Sequence, residues 1–123
     1  MKILLDAMGG DNAPDAVIKG AIKAEKEIES DIVLIGNEEV INSKLKQFYG
    51  KDKISDITNK ITIKHTAEQI EMEDIPTVAI KQKKDSSMVV GFKMLKEDEG
   101  DVFISAGNSG ALLTGATLLV GRI

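Results

Sequence analysis

Short apolar runs alternate along this chain with segments of helical periodicity, and that alternation restricts the fold more than any other feature. Ile3–Leu5, Ile32–Ile35, Ile61–Lys64 and Val102–Ser105 read as strands. Between the first two, Ala16–Ile28 carries Val17, Ala21, Ala24 and Ile28 at helical spacing. Glu38–Tyr49 places Val40, Ile41, Leu45 and Phe48 on one stripe of a second helix. Pro76 opens a short helix through Lys83, and Ser86 or Ser87 caps another whose stripe is Met88, Val89, Phe92 and Leu95. Gly50–Lys60 is polar and irregular, as a surface connection is. This order predicts an α/β fold with a parallel or mostly parallel sheet covered on both faces.

Composition narrows the function. Three Phe, one Tyr and no Trp leave few platforms for stacking nucleic-acid bases, and a net charge of −4 disfavours a phosphate backbone. Cysteine is absent, which removes disulfides and thiolate chemistry and suits a cytosolic protein. Asp6 ends the first apolar run too early for a signal peptide, and no apolar run approaches a bilayer's thickness. At 123 residues the chain fits one domain. Its last residues, Leu118 to Ile123, are largely apolar where domain ends are usually polar, so we expect part of a longer protein.

In parallel sheets, ligands bind beyond the carboxyl ends of the strands. Two glycine turns follow strands here, at Gly9-Gly10 and at Gly107–Gly110, and both should lie on that edge. The second belongs to Val102–Gly115, where a strand gives way to small residues and then to the helix-like Ala111–Thr114. It reads either as an anion site of free N–H groups, with Gly107 and Gly110 letting a ligand approach, or as an ordinary turn capped by Asn108 or Ser109. Ser105, Asn108 and Ser109 add neutral polar groups.

Asp6 and Asp11 flank the first glycine turn. Asp11 or Asn12 suits capping of the next helix, with Pro14 in its first turn, whereas Asp6 at a strand end is the better functional candidate. Lys81, Lys83 and Lys84 with Ser86 and Ser87 form either a solvated helix face or a contact for phosphate or an acidic carrier. His65 is the only histidine and has no nucleophile at catalytic spacing. Glu68, Glu71, Glu73 and Asp74 lack the spacing of a calcium loop, so no metal site is expected there. Neither the dinucleotide fingerprint nor the Walker loop is present.

Three separated motifs resemble one family. Asp6-Ala7-Met8-Gly9-Gly10-Asp11-x-Ala13-Pro14, Glu71-Met72-x-Asp74-x-Pro76-x-x-Ala79 running on to Lys83-x-x-Ser86-Ser87, and Ser105-Ala106-Gly107-Asn108-Ser109-Gly110-Ala111 are similar to signatures of the bacterial phosphate acyltransferases, PlsX. Two positions depart from the pattern: Lys81 stands where the family usually has Arg, and Ser109 where it has Thr.

The resemblance implies transfer of a fatty acyl group from acyl carrier protein to inorganic phosphate, giving acyl phosphate for phospholipid synthesis. It implies a three-layer α/β/α sandwich like that of the isocitrate/isopropylmalate dehydrogenases and phosphotransacetylases. It also implies a cytoplasmic homodimer whose peripheral membrane contacts lie beyond Ile123. Phosphate is the nucleophile, so the reaction calls for positioning and oxyanion stabilisation, with no cofactor. The turn Gly107–Gly110, with Asn108 and Ser109, is then the expected phosphate cradle, and Gly9 and Gly10 its facing wall. Lys83 and Asn108 are the expected catalytic residues, with Asp6, Asp11, Ser86, Ser87 and Ser105 around the substrate. Two alternatives are an isocitrate-type dehydrogenase and a non-catalytic phosphate-binding module.

Overall fold

The computed structural model describes residues 1–50, 53 and 60–121. Most of the polar connection expected at Gly50–Lys60, and Arg122-Ile123 at the end, lie outside the described residues. The strands are β1 (Lys2–Asp6), β2 (Asp31–Gly36), β3 (Ile61–His65) and β4 (Val102–Ile104). The helices are α1 (Asp15–Glu25), α2 (Glu38–Tyr49), α3 (Pro76–Gln82), α4 (Ser87–Lys96) and α5 (Ser109–Gly115), which runs into a π-helical turn at Ala116–Val120.

The four strands form one parallel sheet in the order β3-β2-β1-β4. Alternation along β2 divides the core. Ile32 and Leu34 pack with Ile18 and Ala21 of α1 and Ile41 and Leu45 of α2. Val33 and Ile35, with Leu4 of β1, face the other way, towards Val90, Met94 and Leu95 of α4. A third cluster joins α3, α4 and α5 through Ala79, Ile80, Met88, Val89, Phe92 and Ala111. Helices therefore flank both faces, as the alternating pattern implies.

Local chemistry explains most element ends. Asn37 caps α2 by accepting from Val40 N–H at 3.1 Å, and His65 Nδ1 accepts from Glu38 N–H at the same helix end. Ser86, buried, caps α4 by accepting from Val89 N–H at 3.2 Å. The cap expected for α1 is a correction. Pro14 takes the cap position, no side chain among the described residues caps the helix, and Asp11 stays exposed. Backbone closes that turn instead, with Ala16 N–H donating to Asn12 O at 3.0 Å.

The topology fixes where a ligand would bind. From β1 the chain steps outward through β2 to β3, then returns past β1 to lay β4 on its other side. The boundary between β1 and β4 is thus the point where the strand order reverses, and the crevice above it is the characteristic ligand position of open parallel sheets. Both glycine turns leave the sheet there, side by side.

Candidate active site

Asp6, the last residue of β1, is 2% exposed and gathers three donors. Its Oδ1 accepts from Ser87 Oγ–H at 2.5 Å and from Met8 N–H at 3.0 Å, and its Oδ2 accepts from Ser105 Oγ–H at 2.7 Å. Ser105 Oγ in turn accepts from Gly107 N–H at 3.1 Å. One carboxylate thereby joins the turn after β1, the start of α4 and the turn after β4. Burying it is tolerable because its acceptor sites are filled by donors. As a negative group already occupied, it repels an anion instead of holding one.

The glycines serve close packing between these turns. A Cβ on Gly9 would lie 2.7 Å from Asp6 Oδ2 and 3.0 Å from Gly107 Cα. Gly10 adopts φ +104° and backs onto Ala106 O. A Cβ on Gly110 would sit 2.6 Å from Pro76 Cγ, and one on Gly107 would meet Gly9 Cα and Met88 Cε at 3.3 Å. On their Cβ sides, Gly107 and Gly110 are therefore packed against protein.

Asn108 and Lys83 converge on a single segment, Gln69–Asp74. Asn108 Oδ1 accepts from Ala111 N–H at 3.1 Å, capping α5, which starts at Ser109. Its Nδ2 donates to Glu71 O, Met72 O and Asp74 O at 3.1, 3.3 and 2.9 Å. Both halves of this amide are committed. Lys83 Nζ donates to Gln69 O at 2.9 Å and pairs with Asp74 Oδ2 at 2.6 Å. That leaves one of its three donors without an acceptor among the described residues. The Lys83 bond, with help from the Glu71 N–H, holds the Asp74 carboxyl below its ordinary value.

The clamped segment walls a cavity of about 420 Å³ with Met8, Gly10, Asp11, Ala13 and Pro14 on its far side. Among the described residues, Asp11, Glu71 and Glu73 line it and no lysine or arginine does, so this lining does not suit phosphate. Neutral donors remain on the turn itself. Ser109 is exposed, and as the first residues of α5, Ser109 and Gly110 have backbone N–H groups with no intrahelical acceptor.

The structure thus brings Asp6, Gly9, Gly10, Ser87, Ser105 and Gly107 into one contact set, with Ser86 beneath it as a cap. Asn108, Ser109 and Gly110 adjoin that set. Lys83 bridges the two ends of the clamped segment, at Gln69 and Asp74, and Asp11 stands on the cavity wall. Sequence reasoning missed the segment itself: Asn108 reaches it across 34 to 37 residues of chain. The acidic motif Glu71-Met72-x-Asp74 was its visible trace.

Residues 1–123 match the family described as fatty acid synthesis protein. The chain is 55% identical to a phosphate acyltransferase of Acetivibrio thermocellus, covering 100% of this chain and 35% of that protein. It is 49% identical to one from Alkaliphilus oremlandii and 47% identical to one from Clostridioides difficile, at full coverage of this chain. The chain spans about 35% of the length of these relatives. By its full-length match, the chain belongs to the fatty acid synthesis protein family.

Proposed function

We propose that the complete protein transfers an acyl group from acyl carrier protein to inorganic phosphate, and that these residues form the N-terminal part of its active domain. The observation that carries this reading is the convergence of both glycine turns at the strand-order reversal, locked together by Asp6, Ser87 and Ser105. We read the sheet and its helical layers as a three-layer α/β/α sandwich of the isocitrate/isopropylmalate dehydrogenase type. The same reading carries a cytoplasmic homodimer that touches the membrane peripherally through parts outside these residues.

In the reaction, a phosphate oxygen attacks the thioester carbonyl and forms a C–O bond. The tetrahedral oxyanion then collapses, the C–S bond breaks, and the carrier's sulfur leaves and takes up a proton. The protein's task is positioning and charge stabilisation. We assign phosphate to the neutral donors of the Ser105–Gly110 turn, above all Ser109 N–H, Gly110 N–H and the Ser109 hydroxyl. Gly9 and Gly10 form the opposite wall. Asp6, Ser86, Ser87, Ser105 and Gly107 fix that geometry from behind, and Asp11 faces the neighbouring cavity. Lys83 offers to the anion the donor that has no acceptor among the described residues. Asn108, with no donor left, acts by holding Gln69–Asp74 in place.

The test is release of free carrier protein from acyl carrier protein by the complete enzyme, with and without phosphate. Phosphate-dependent release supports the assignment. No release favours a binding module, and dependence on a nicotinamide favours a dehydrogenase.

A further inference from the structure

Three lysines gather on the outer side of the α3–α4 layer. Lys81 in the last turn of α3, Lys84 just after it and Lys93 on α4 are exposed and line one groove of about 450 Å³. Lys44 and Lys83 pair with Asp15 and Asp74, and Lys19 and Lys26 lie over aromatic rings. Lys81, Lys84 and Lys93 have no such partner among the described residues. The groove between them is apolar. Ile80 and Val89, both buried, line it together with Leu118, which is 57% exposed. Lys93 stands one helical turn from Val89, so cation and apolar contact share one face of α4.

Three like charges around an apolar hollow repel one another and gain nothing from the described fold. They suit a partner that carries carboxylates around an apolar side chain. The lysines would steer and orient it, and the apolar contact would be desolvated on docking. An acidic amphipathic helix presents that pattern. Inorganic phosphate has no apolar part to fill the hollow. An anionic membrane calls for a broad cationic surface. Here α4 is followed instead by exposed Glu97, Asp98 and Glu99, which lipid phosphates would repel.

We propose that this groove seats acyl carrier protein through an acidic amphipathic helix of the carrier, its carboxylates on Lys81, Lys84 and Lys93. The partner's name rests on the reaction proposed above; the chemistry of the surface does not. One helix joins the groove to the site. Ser87 at the start of α4 bonds Asp6, while Val89 and Lys93 further along it line the groove.

The test is binding of acyl carrier protein to the complete protein, compared between wild type and Lys81→Glu/Lys84→Glu/Lys93→Glu. The expected result is affinity about 10-fold or more weaker in the variant, and wild-type affinity that falls as salt rises. In turnover, KM for the acylated carrier should rise while KM for phosphate stays unchanged. Lys23→Glu/Lys46→Glu changes exposed lysines of α1 and α2 across the sheet and should bind as wild type does. The three single charge reversals, each at an exposed position, should each give part of the loss with unchanged thermal unfolding. Equal carrier binding by wild type and triple variant would overturn the proposal, as would no binding by wild type or an equal loss in the α1–α2 variant. Loss of binding to phosphatidylglycerol vesicles with carrier binding intact would assign the groove to lipid instead. Carrier binding that depends on the three lysines, without phosphate-dependent release, would contradict the reaction and leave the docking surface standing.

Discussion

Asp6 and Ser87, separated by 81 positions in the chain, share a buried hydrogen bond of 2.5 Å at the end of β1. With Ser105 on the other carboxylate oxygen, the pair makes the site a single mechanical unit. Removing one hydroxyl leaves a buried carboxylate short of a donor.

Ser87→Ala and Ser105→Ala should each lower stability by about 1–3 kcal/mol in urea unfolding. In the double variant the two losses should not add, because both act on one carboxylate. Strictly additive losses would mean that the hydroxyls act independently.

The glycines make opposite predictions according to their surroundings. Gly110→Ala, with Pro76 Cγ 2.6 Å from the new methyl, should cost about 1–3 kcal/mol. Gly20→Ala, in the exposed middle of α1 with no described neighbour within 4 Å of the new methyl, should stabilise by about 0.5–1 kcal/mol. Thermal unfolding of the two variants side by side checks the pair.

Asn108 combines a cap with a clamp, and two substitutions separate them. Asn108→Asp keeps an acceptor for Ala111 N–H but turns a carboxylate towards the carbonyls of Glu71, Met72 and Asp74. It should retain α5 yet release Gln69–Asp74, seen as faster amide exchange there and a higher KM. Asn108→Ala should lose both functions, with about 1 kcal/mol from the cap alone. Unchanged exchange across residues 69–74 in Asn108→Asp would refute the clamp.

Acid should open the same segment. The Asp74 carboxyl is lowered by Lys83 and then by Glu71 N–H, so its contribution is complete above the ordinary aspartate range. That contribution is lost as pH falls below the range, through the folded-state value. The Glu71 amide, which donates to Asp74 Oδ2 at 2.9 Å, should report the titration by NMR. Lys83→Met should move the midpoint upward, and an unmoved midpoint would contradict the assignment.

The legible parts of the chain were those set by neighbours in sequence. The stripe through Ile41 and Leu45 located α2 at Glu38–Tyr49, and the pair Ser86-Ser87 announced the start of α4, with Ser86 as the cap. Parallel pairing followed from alternation, and with it the shared edge of the two glycine turns. The α1 cap misled because Asp11 and Asn12 have the right chemistry while Pro14 takes the position. Gly110 was legible only in part: a glycine near a turn signals close approach, and on its Cβ side the neighbour is Pro76. The placements of Lys83 and Asn108 depend on carbonyls of an irregular segment, and periodicity carries no information about such partners.

Ser109, whose backbone N–H opens α5, is where the proposed anion contact can be removed one group at a time. Asn108 has ψ 112°, a conformation that a following proline accepts, and proline is well tolerated at the first helical position. Ser109→Pro therefore removes one N–H and the hydroxyl without disrupting the helix, while Ser109→Ala removes the hydroxyl alone. Phosphate-dependent release of free carrier protein by the complete enzyme should fall about 100-fold or more in Ser109→Pro, at unchanged thermal stability, and less in Ser109→Ala. Wild-type turnover and an unaltered KM for phosphate in a folded Ser109→Pro enzyme would show that the α5 N-terminus does not hold the anion.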